Sequence, residues 1–320
     1  MSLRRAVFLD LLPLDQNDLD LSPLHQAFDE LVCHEQTTPE QVIERLQGAQ
    51  AVISNKVRLS AEAIAACPEL KLILVAATGY NNVDIAAARA RGITVCNCQG
   101  YGTATVAQHT LMLLLALATR LPDYQRAVTA GRWNESRDFC LLDFPIIELA
   151  GKTLGLLGQG TLGSEVARLA ETFGMRVLVG NLPGRPVRPD RLSLAELLPQ
   201  VDALTLHCPL TEATRNLIGA SELALMKPEA FLINTARGGI VDEQALADTL
   251  RRGHLGGAAT DVLLEEPPAA GNPLLADDIP RLIVTPHTAW GSREARQRIV
   301  VQIAENARAF ADGRPIRLVG

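Results

Sequence analysis

The stretch Lys152-Thr153-Leu154-Gly155-Leu156-Leu157-Gly158-Gln159-Gly160-Thr161-Leu162-Gly163 decides the fold class. It joins an apolar run of β-strand type to the glycine pattern G-x-G-x-x-G. The residues that follow repeat an apolar face at helical spacing, namely Leu162, Val166, Leu169, Ala170 and Phe173. A strand, a glycine turn and an amphipathic helix in this order are the context in which the motif binds a dinucleotide.

Each glycine of the motif has a physical task in that context. Gly158 permits the tight turn, Gly160 lets the backbone approach a pyrophosphate, and Gly163 lets helix and strand pack closely. Unpaired amides at the start of the helix would face the phosphates. The turn residues between the glycines are therefore further candidate cofactor ligands, namely Gln159, Thr161 and Leu162.

The next predicted strand, Met175–Val179, is not followed by the acidic residue that holds the ribose hydroxyls in NAD-binding versions of the motif. Asn181 stands at that point, and Arg185 follows in the same loop. Asn181 could bond a ribose hydroxyl, and it would not repel a 2′-phosphate, which Arg185 could reach. The sequence therefore leaves the cofactor open between NAD and NADP.

Strand-like and helix-like stretches alternate along most of the chain, which is typical of α/β architecture with parallel sheets. Four strands are predicted before the motif, at Ala6–Asp10, Ala51–Ser54, Leu72–Ala76 and Ile93–Val95. Two helices are predicted among them, at Pro39–Gln47 and Ala61–Ala66. Four later strands are predicted at Ala203–His207, Phe231–Asn234, Gly257–Thr260 and Leu282–Thr285. A buried helix is expected from Thr103 to Arg120, because its middle is apolar all round.

Composition narrows the function classes. The 320 residues contain 48% hydrophobic and 21% charged residues, so a packed globular protein of about two domains is expected. A net charge of −6 argues against a nucleic-acid partner. The longest apolar run, Leu111–Ala118, is too short for a membrane span. Six cysteines and no evident signal peptide favour a cytoplasmic location with free thiols.

Three later strand ends carry polar residues of catalytic type. Arg237 follows one strand, and its planar fork suits a carboxylate with an adjacent keto oxygen. His287 follows another, and the ordinary pKa of histidine near neutrality suits a proton donor in hydride transfer. Glu266 is the chosen partner for the other imidazole nitrogen, where it would fix the tautomer and favour the charged form, with Glu265 as the local competitor.

At this point several ordered segments resemble the D-isomer-specific 2-hydroxyacid dehydrogenases over nearly the whole chain. The matching segments are Ala77–Asp84, Val106–His109, Gly158–Gly163, His207–Thr211, Ile233–Gly239, Asp261–Pro267 and Pro286–Ala289. The resemblance implies two Rossmann-like domains, with a dinucleotide-binding domain at 100–291 inserted into a substrate domain formed by 1–99 and 292–320. It also implies a homodimer.

The resemblance further implies roles for individual residues. Arg237, Glu266 and His287 would be catalytic. Lys56, Thr78, Gly79, Arg237 and Trp290 would bind substrate. The residues expected to line the nicotinamide half of the cofactor are Thr105, Cys208, Pro209, Thr214, Thr235, Ala236 and Asp261. His109 and His207 are expected to be structural.

The implied reaction is the reduction of a small 2-keto acid, hydroxypyruvate and also glyoxylate, with NADH or NADPH. Within the family, the chain is most similar to the glycerate dehydrogenase branch, on the segments Asn55–Val57, Thr78–Asn82, Gln108-His109 and His287–Trp290. Two alternatives stay open: the same chemistry on another 2-keto acid, and a dehydrogenase-like module that senses the dinucleotide and recruits a partner.

Overall fold

The structure is a computed structural model that describes residues 3–319. It divides the chain into two units, each built on its own sheet. One unit takes the chain up to Gly102 together with the residues from Trp290 onward, and the other is Thr103–Ala289. Within the described residues the structure has eleven β-strands and eleven α-helices, which are numbered here in chain order.

The first unit contains a five-stranded sheet with helices in the connections. Its strands are β1 (Arg5–Phe8), β2 (Glu30–Cys33), β3 (Ala51–Ser54), β4 (Leu72–Val75) and β5 (Thr94–Cys96). Its first four helices are α1 (Ser22–His25), α2 (Val42–Arg45), α3 (Ala61–Ala65) and α4 (Ile85–Ala90), and a 3-10 turn at Pro39–Gln41 precedes α2. All neighbouring strands run parallel in the order β2-β1-β3-β4-β5, so the connections change direction between β1 and β3.

A buried carboxylate occupies that change of direction. Asp10 follows β1, is 5% exposed, and accepts hydrogen bonds from the amides of Asn55 (2.8 Å), Lys56 (2.6 Å) and Val57 (3.1 Å) just after β3. Burial raises the pKa of Asp10, while the three amides act in the opposite direction. The amides at this strand end are therefore already satisfied by a side chain of the same unit.

Two consecutive helices open the second unit, α5 (Thr103–Ala118) and α6 (Leu121–Thr129). They are separated where Arg120 takes a left-handed conformation (φ 55°), and Pro122 follows in the first turn of α6. Among residues 3–319 no single helix is long and apolar enough to cross a membrane. Joined, α5 and α6 would meet that test by length and composition, but they are bent by 61°, and most apolar residues of α5 are buried.

The second unit contains a six-stranded parallel sheet in the order β11-β10-β9-β8-β6-β7. Its strands are β6 (Thr153–Leu157), β7 (Arg176–Gly180), β8 (Ala203–Leu206), β9 (Phe231–Asn234), β10 (Gly257–Thr260) and β11 (Leu282–Val284). Its other helices are α7 (Thr161–Thr172), α8 (Leu194–Leu197), α9 (Ala220–Leu225) and α10 (Glu243–Arg251), with 3-10 turns at Leu198–Gln200, Glu212–Thr214 and Pro273–Leu275. Apolar side chains from both faces of the sheet form its core.

The last helix, α11 (Arg293–Ala311), belongs to the first unit. Ile299, Val300 and Ile303 are fully buried in the core that also contains β1, β3 and β4 residues. Its Arg296 forms a paired contact with Asp18, at 2.8 and 2.7 Å. The chain then returns to β5 through a bridge between Cys96 and Leu318.

The predicted α/β class with two doubly wound sheets is confirmed. The structure also contains elements that the sequence analysis did not name, among them the strand β2 and the helix α6 after the left-handed Arg120. The single helix predicted at Pro39–Gln47 was wrong, because the structure has a 3-10 turn and a short α-helix there.

Candidate active site

Six strand ends of the second unit form one edge, because all six strands are parallel. In spatial order this edge carries His287 beyond β11, Asp261 beyond β10, Arg237 beyond β9, Cys208 beyond β8, the glycine turn beyond β6 and Asn181 beyond β7. The predicted catalytic residues therefore lie at one end of the edge and Asn181 at the other, with the glycine turn between them.

The glycine turn has the shape that a pyrophosphate needs. Gly158 adopts φ +102°, and a Cβ there would lie 2.5 Å from the carbonyl of His207. A Cβ on Gly163 would overlap the carbonyl oxygen of Gly158. By contrast, a Cβ on Gly160, directly before α7, would meet nothing within 4 Å. Two glycines are thus required by packing, and the third leaves open space where a phosphate can approach the backbone.

The other predicted cofactor residues lie along the same edge. Cys208, Thr214, Thr235 and Ala236 are buried, and Thr214 Oγ1 donates to the carbonyl of Pro209 at 2.7 Å. In α5, Thr105 Oγ1 donates to the carbonyl of Ala289 (3.2 Å). The open space at Gly160 and the polar residues of this edge together fit a dinucleotide.

An imidazole and a carboxylate meet at the β11 end of the edge. His287 Nδ1 lies 2.6 Å from Glu266 Oε2, and Glu266 Oε1 accepts the amide of Leu263 at 2.9 Å. Glu265, the competitor considered from sequence, makes no side-chain hydrogen bond in the part of the chain that the structure describes. Within residues 3–319 the second imidazole nitrogen, Nε2, has no hydrogen-bond partner. The arrangement fixes the ring by one nitrogen and leaves the other for a substrate.

Asp261 holds the turn that carries His287. Its buried carboxylate accepts hydrogen bonds from Thr285 Oγ1 (2.5 Å), Thr288 N (2.9 Å) and Ala289 N (2.9 Å). His287 itself adopts a left-handed backbone with φ 53°, which is uncommon for a residue with a side chain. Asp261 was predicted from sequence only as a cofactor residue. Its role in holding the turn that carries His287 was not predicted.

The Arg237 turn touches the segment that carries Glu266. A Cβ on Gly238 would overlap the carbonyl oxygen of Leu263, so these two backbones are in direct contact. The Arg237 side chain is exposed, and its Nη1 donates to the carbonyl of Ala236 at 2.6 Å. Three strand ends are thereby linked in series: Gly238 meets Leu263, Leu263 binds Glu266, and Glu266 binds His287.

Two further histidines lie behind this edge. His109 Nε2 is 3.0 Å from Thr285 Oγ1 and so supports the group that binds Asp261. His207 Nε2 is 2.9 Å from Thr205 Oγ1, while its Nδ1 is buried without a partner in the described chain. Burial lowers the pKa of His207 to about 4, so this ring is neutral at pH 7.

The predicted substrate residues of the first unit lie at the carboxyl edge of its own sheet. Lys56 follows β3 and is exposed, and Thr78 and Gly79 follow β4. Thr78 Oγ1 donates to the carbonyl of Cys98 at 3.0 Å. Trp290 is partly buried and packs against the core that contains residues of β1, β3, β4 and α11.

A glycine turn built for a pyrophosphate and a histidine–carboxylate pair on the same sheet edge define a dinucleotide-dependent oxidoreductase. Comparisons with known proteins identify which one. Residues 111–289 match the family described as "D-isomer specific 2-hydroxyacid dehydrogenase, NAD binding domain". The chain belongs to the D-isomer-specific 2-hydroxyacid dehydrogenases.

Relatives of full length support this assignment. The chain is 45% identical over 317 residues to a glycerate dehydrogenase of Methylorubrum extorquens, covering 99% of each protein. It is 35% identical to a hydroxypyruvate reductase of Blautia hydrogenotrophica, covering 98% of this chain and 99% of that one. Among solved structures it is similar to the TT0316 protein of Thermus thermophilus, with 36% identity, a TM-score of 0.87, and 99% and 100% of the two chains covered.

The predictions of family, enzyme class and cofactor class are confirmed by these comparisons. The protein is an NAD(P)-dependent dehydrogenase that interconverts a 2-keto acid and a D-2-hydroxy acid.

Proposed function

We propose that the chain reduces hydroxypyruvate, and also glyoxylate, to the D-2-hydroxy acid with NADH or NADPH. The observation that carries this proposal is the 2.6 Å contact between His287 Nδ1 and Glu266 Oε2, beside the exposed Arg237. The choice of substrate is supported by the names of the two full-length relatives, a glycerate dehydrogenase and a hydroxypyruvate reductase.

His287 is the proton donor in this proposal. When bound, the reduced nicotinamide supplies a hydride to the keto carbon. His287 Nε2–H gives a proton to the keto oxygen. The π bond of the C=O group is lost, new C–H and O–H bonds form, and the C–O single bond remains in the hydroxy acid. Glu266 accepts Nδ1–H in the proposal and so holds the ring with Nε2 directed to the substrate.

Arg237 binds the substrate's carboxylate and polarises its keto oxygen. The guanidinium has five N–H donors, and Nη1 is engaged with the carbonyl of Ala236. The remaining donors form a fork that suits two oxygens in one plane, as a 2-keto carboxylate offers. Electrostatic stabilisation of the developing alkoxide follows from the same contact.

The proposed dinucleotide-binding domain is 100–291 and the proposed substrate domain is 1–99 with 292–320, and these bounds differ by two or three residues from those of the two units. Lys56, Thr78, Gly79 and Trp290 are further substrate-binding residues in the proposal. The backbone around Thr78 and Gly79 contributes amides to the carboxylate, while Lys56 and Trp290 set the polarity and size of the pocket. These side chains would distinguish a hydroxymethyl substituent from a larger one.

The protein is also proposed to be a cytoplasmic homodimer. Its six cysteines are all free thiols in the described chain, which suits a reducing compartment. The segment between α6 and β6 exposes large apolar side chains, including Phe139, which is 91% exposed, and Leu142. Exposed apolar surface of this kind is typical of an interface.

A keto-acid panel tests the proposed activity. We expect hydroxypyruvate to give the highest kcat/KM among small 2-keto acids, measured as loss of reduced-nicotinamide absorbance. His287→Ala should lower kcat by about 10²–10⁴-fold while dinucleotide binding is retained. The matched control is His25→Ala, at an exposed histidine of α1. No turnover of any 2-keto acid by the unmodified protein, or full activity in His287→Ala, would overturn the proposal.

A further inference from the structure

The loop that follows β7, residues 181–191 and here called the β7 loop, is organised by the side chain of Asn181. Its Nδ2 donates to the carbonyls of Arg188 (3.3 Å) and Arg191 (3.0 Å), and its Oδ1 accepts the amide of Arg188 (3.0 Å). The backbone closes the loop as well, since Asn181 N donates to Leu192 O at 2.7 Å. The conformation of the β7 loop therefore requires a neutral amide at its first position.

An acidic residue could not take this place. A carboxylate has no N–H to give, so it would face two backbone carbonyl oxygens with a negative charge. Yet this is the position from which an acid binds the ribose hydroxyls of NAD in dinucleotide-binding folds of this type. The absence of the acid is thus built into the conformation of the loop.

The β7 loop also carries an excess of positive charge. It contains three arginines and one aspartate. Arg188 is matched by Asp190, with Nε and Nη2 at 3.0 and 2.8 Å from the two carboxylate oxygens. The Arg185 side chain is exposed and has no partner in the part of the chain that the structure describes. The loop therefore presents unmatched cationic groups beyond β7.

The guanidinium of Arg191 is the cationic group that reaches the glycine turn. Its Nη2 donates to Gln159 Oε1 at 3.2 Å, and Gln159 stands between the first two glycines of the motif. An anion bound beside Gln159 would therefore lie next to the Arg191 guanidinium.

We propose that Arg191, assisted by Arg185, binds the 2′-phosphate of NADP(H), and that this chain prefers NADPH to NADH. The inference rests on the dinucleotide site of the proposed function but not on its keto acid. The 2′-phosphate adds charge at the ribose position where an acid would repel it, and guanidinium–phosphate hydrogen bonds are among the strong ones.

Binding of nucleotide fragments to the intact protein tests the preference without any keto acid. We expect 2′,5′-ADP to bind at least about tenfold more tightly than 5′-AMP, and NADPH more tightly than NADH, by titration calorimetry or fluorescence. The preference should shrink at high salt, because it is electrostatic. Equal affinities, or tighter binding of 5′-AMP and NADH, would overturn the inference.

Variants locate the phosphate site. Arg191→Gln should reduce the affinity for 2′,5′-ADP by about 10–100-fold and leave that for 5′-AMP within about twofold, with Arg185→Gln giving a smaller selective loss. The control is Arg176→Gln, because Arg176 opens β7 and lies about 16 Å from the loop along the strand. Equal losses for both nucleotides in Arg191→Gln would indicate a packing role only and contradict the inference.

The two proposals fail separately. Selective binding of 2′,5′-ADP by a protein that reduces no 2-keto acid would leave the phosphate site standing and remove the proposed activity. Turnover of hydroxypyruvate with NADH preferred over NADPH would do the reverse.

Discussion

At the scale of single residues, the position of His287 depends on Asp261. The backbone of His287 is left-handed, and the Asp261 carboxylate accepts the amides of Thr288 and Ala289 that follow it. The hydroxyl of Thr285, which His109 supports from behind, is the third donor. The imidazole is thus oriented by Glu266 at the ring and by Asp261 at the backbone.

Asp261→Asn tests this dependence. The variant keeps the shape of the side chain but places an N–H donor against one of the amides or the hydroxyl. We expect a loss of about 1–3 kcal/mol in the free energy of unfolding, since a buried donor is left without an acceptor. We also expect kcat to fall about tenfold or more as His287 loses its orientation, with KM for the dinucleotide changed much less. Unchanged kcat and wild-type stability in denaturant titration would contradict the role of Asp261.

That Arg237, Glu266 and His287 lie on one edge was predictable from the sequence, because each follows a strand and parallel strands end at one edge. The clamp by Asp261 was not predictable, since it depends on which amides of a distant turn point at the carboxylate. Arg191 was missed for a similar reason: its contact with Gln159 results from how the β7 loop folds back, and no local pattern encodes that path.

At the scale of elements, two glycines of the turn between β6 and α7 have different roles, one in packing and the other in dinucleotide binding. Gly163 is required by the contact with the carbonyl of Gly158, whereas Gly160 borders open space. We expect Gly163→Ala to lower the free energy of unfolding by about 1–3 kcal/mol, because helix and turn must separate. Gly160→Ala should leave stability within about 0.5 kcal/mol and weaken dinucleotide binding about tenfold or more. Equal effects of both variants on stability would refute the distinction, with thermal unfolding and ligand titration as the two measurements.

Most strands were predictable because they are continuous apolar runs buried on both faces, as in β3 and β4. The omitted strand, β2, lies at the edge of its sheet and is half exposed, so its four residues lack that signal. The end of α5 was predicted to within two residues, at Arg120, but the helix α6 that follows was not named.

At the scale of the whole molecule, the apolar segment between α6 and β6 predicts self-association. We expect the protein to sediment as a dimer, and the double variant Phe139→Asp, Leu142→Asp to sediment as a monomer, because buried charge at the centre of an interface is unfavourable. Val187→Asp is the control, at an exposed apolar residue in the β7 loop. A dimer that survives the double variant would remove this segment from the interface.

The carboxylate of Asp10 has a consequence for stoichiometry. Both sheets are doubly wound, so each has a switch point where the strand order reverses. Nucleotides bind at such a point in folds of this type. In the first unit the amides at that point already hold an anion supplied by the chain itself, an internal counterpart of a phosphate. One architecture thereby yields two non-equivalent halves, and saturation should require one dinucleotide for each polypeptide rather than two.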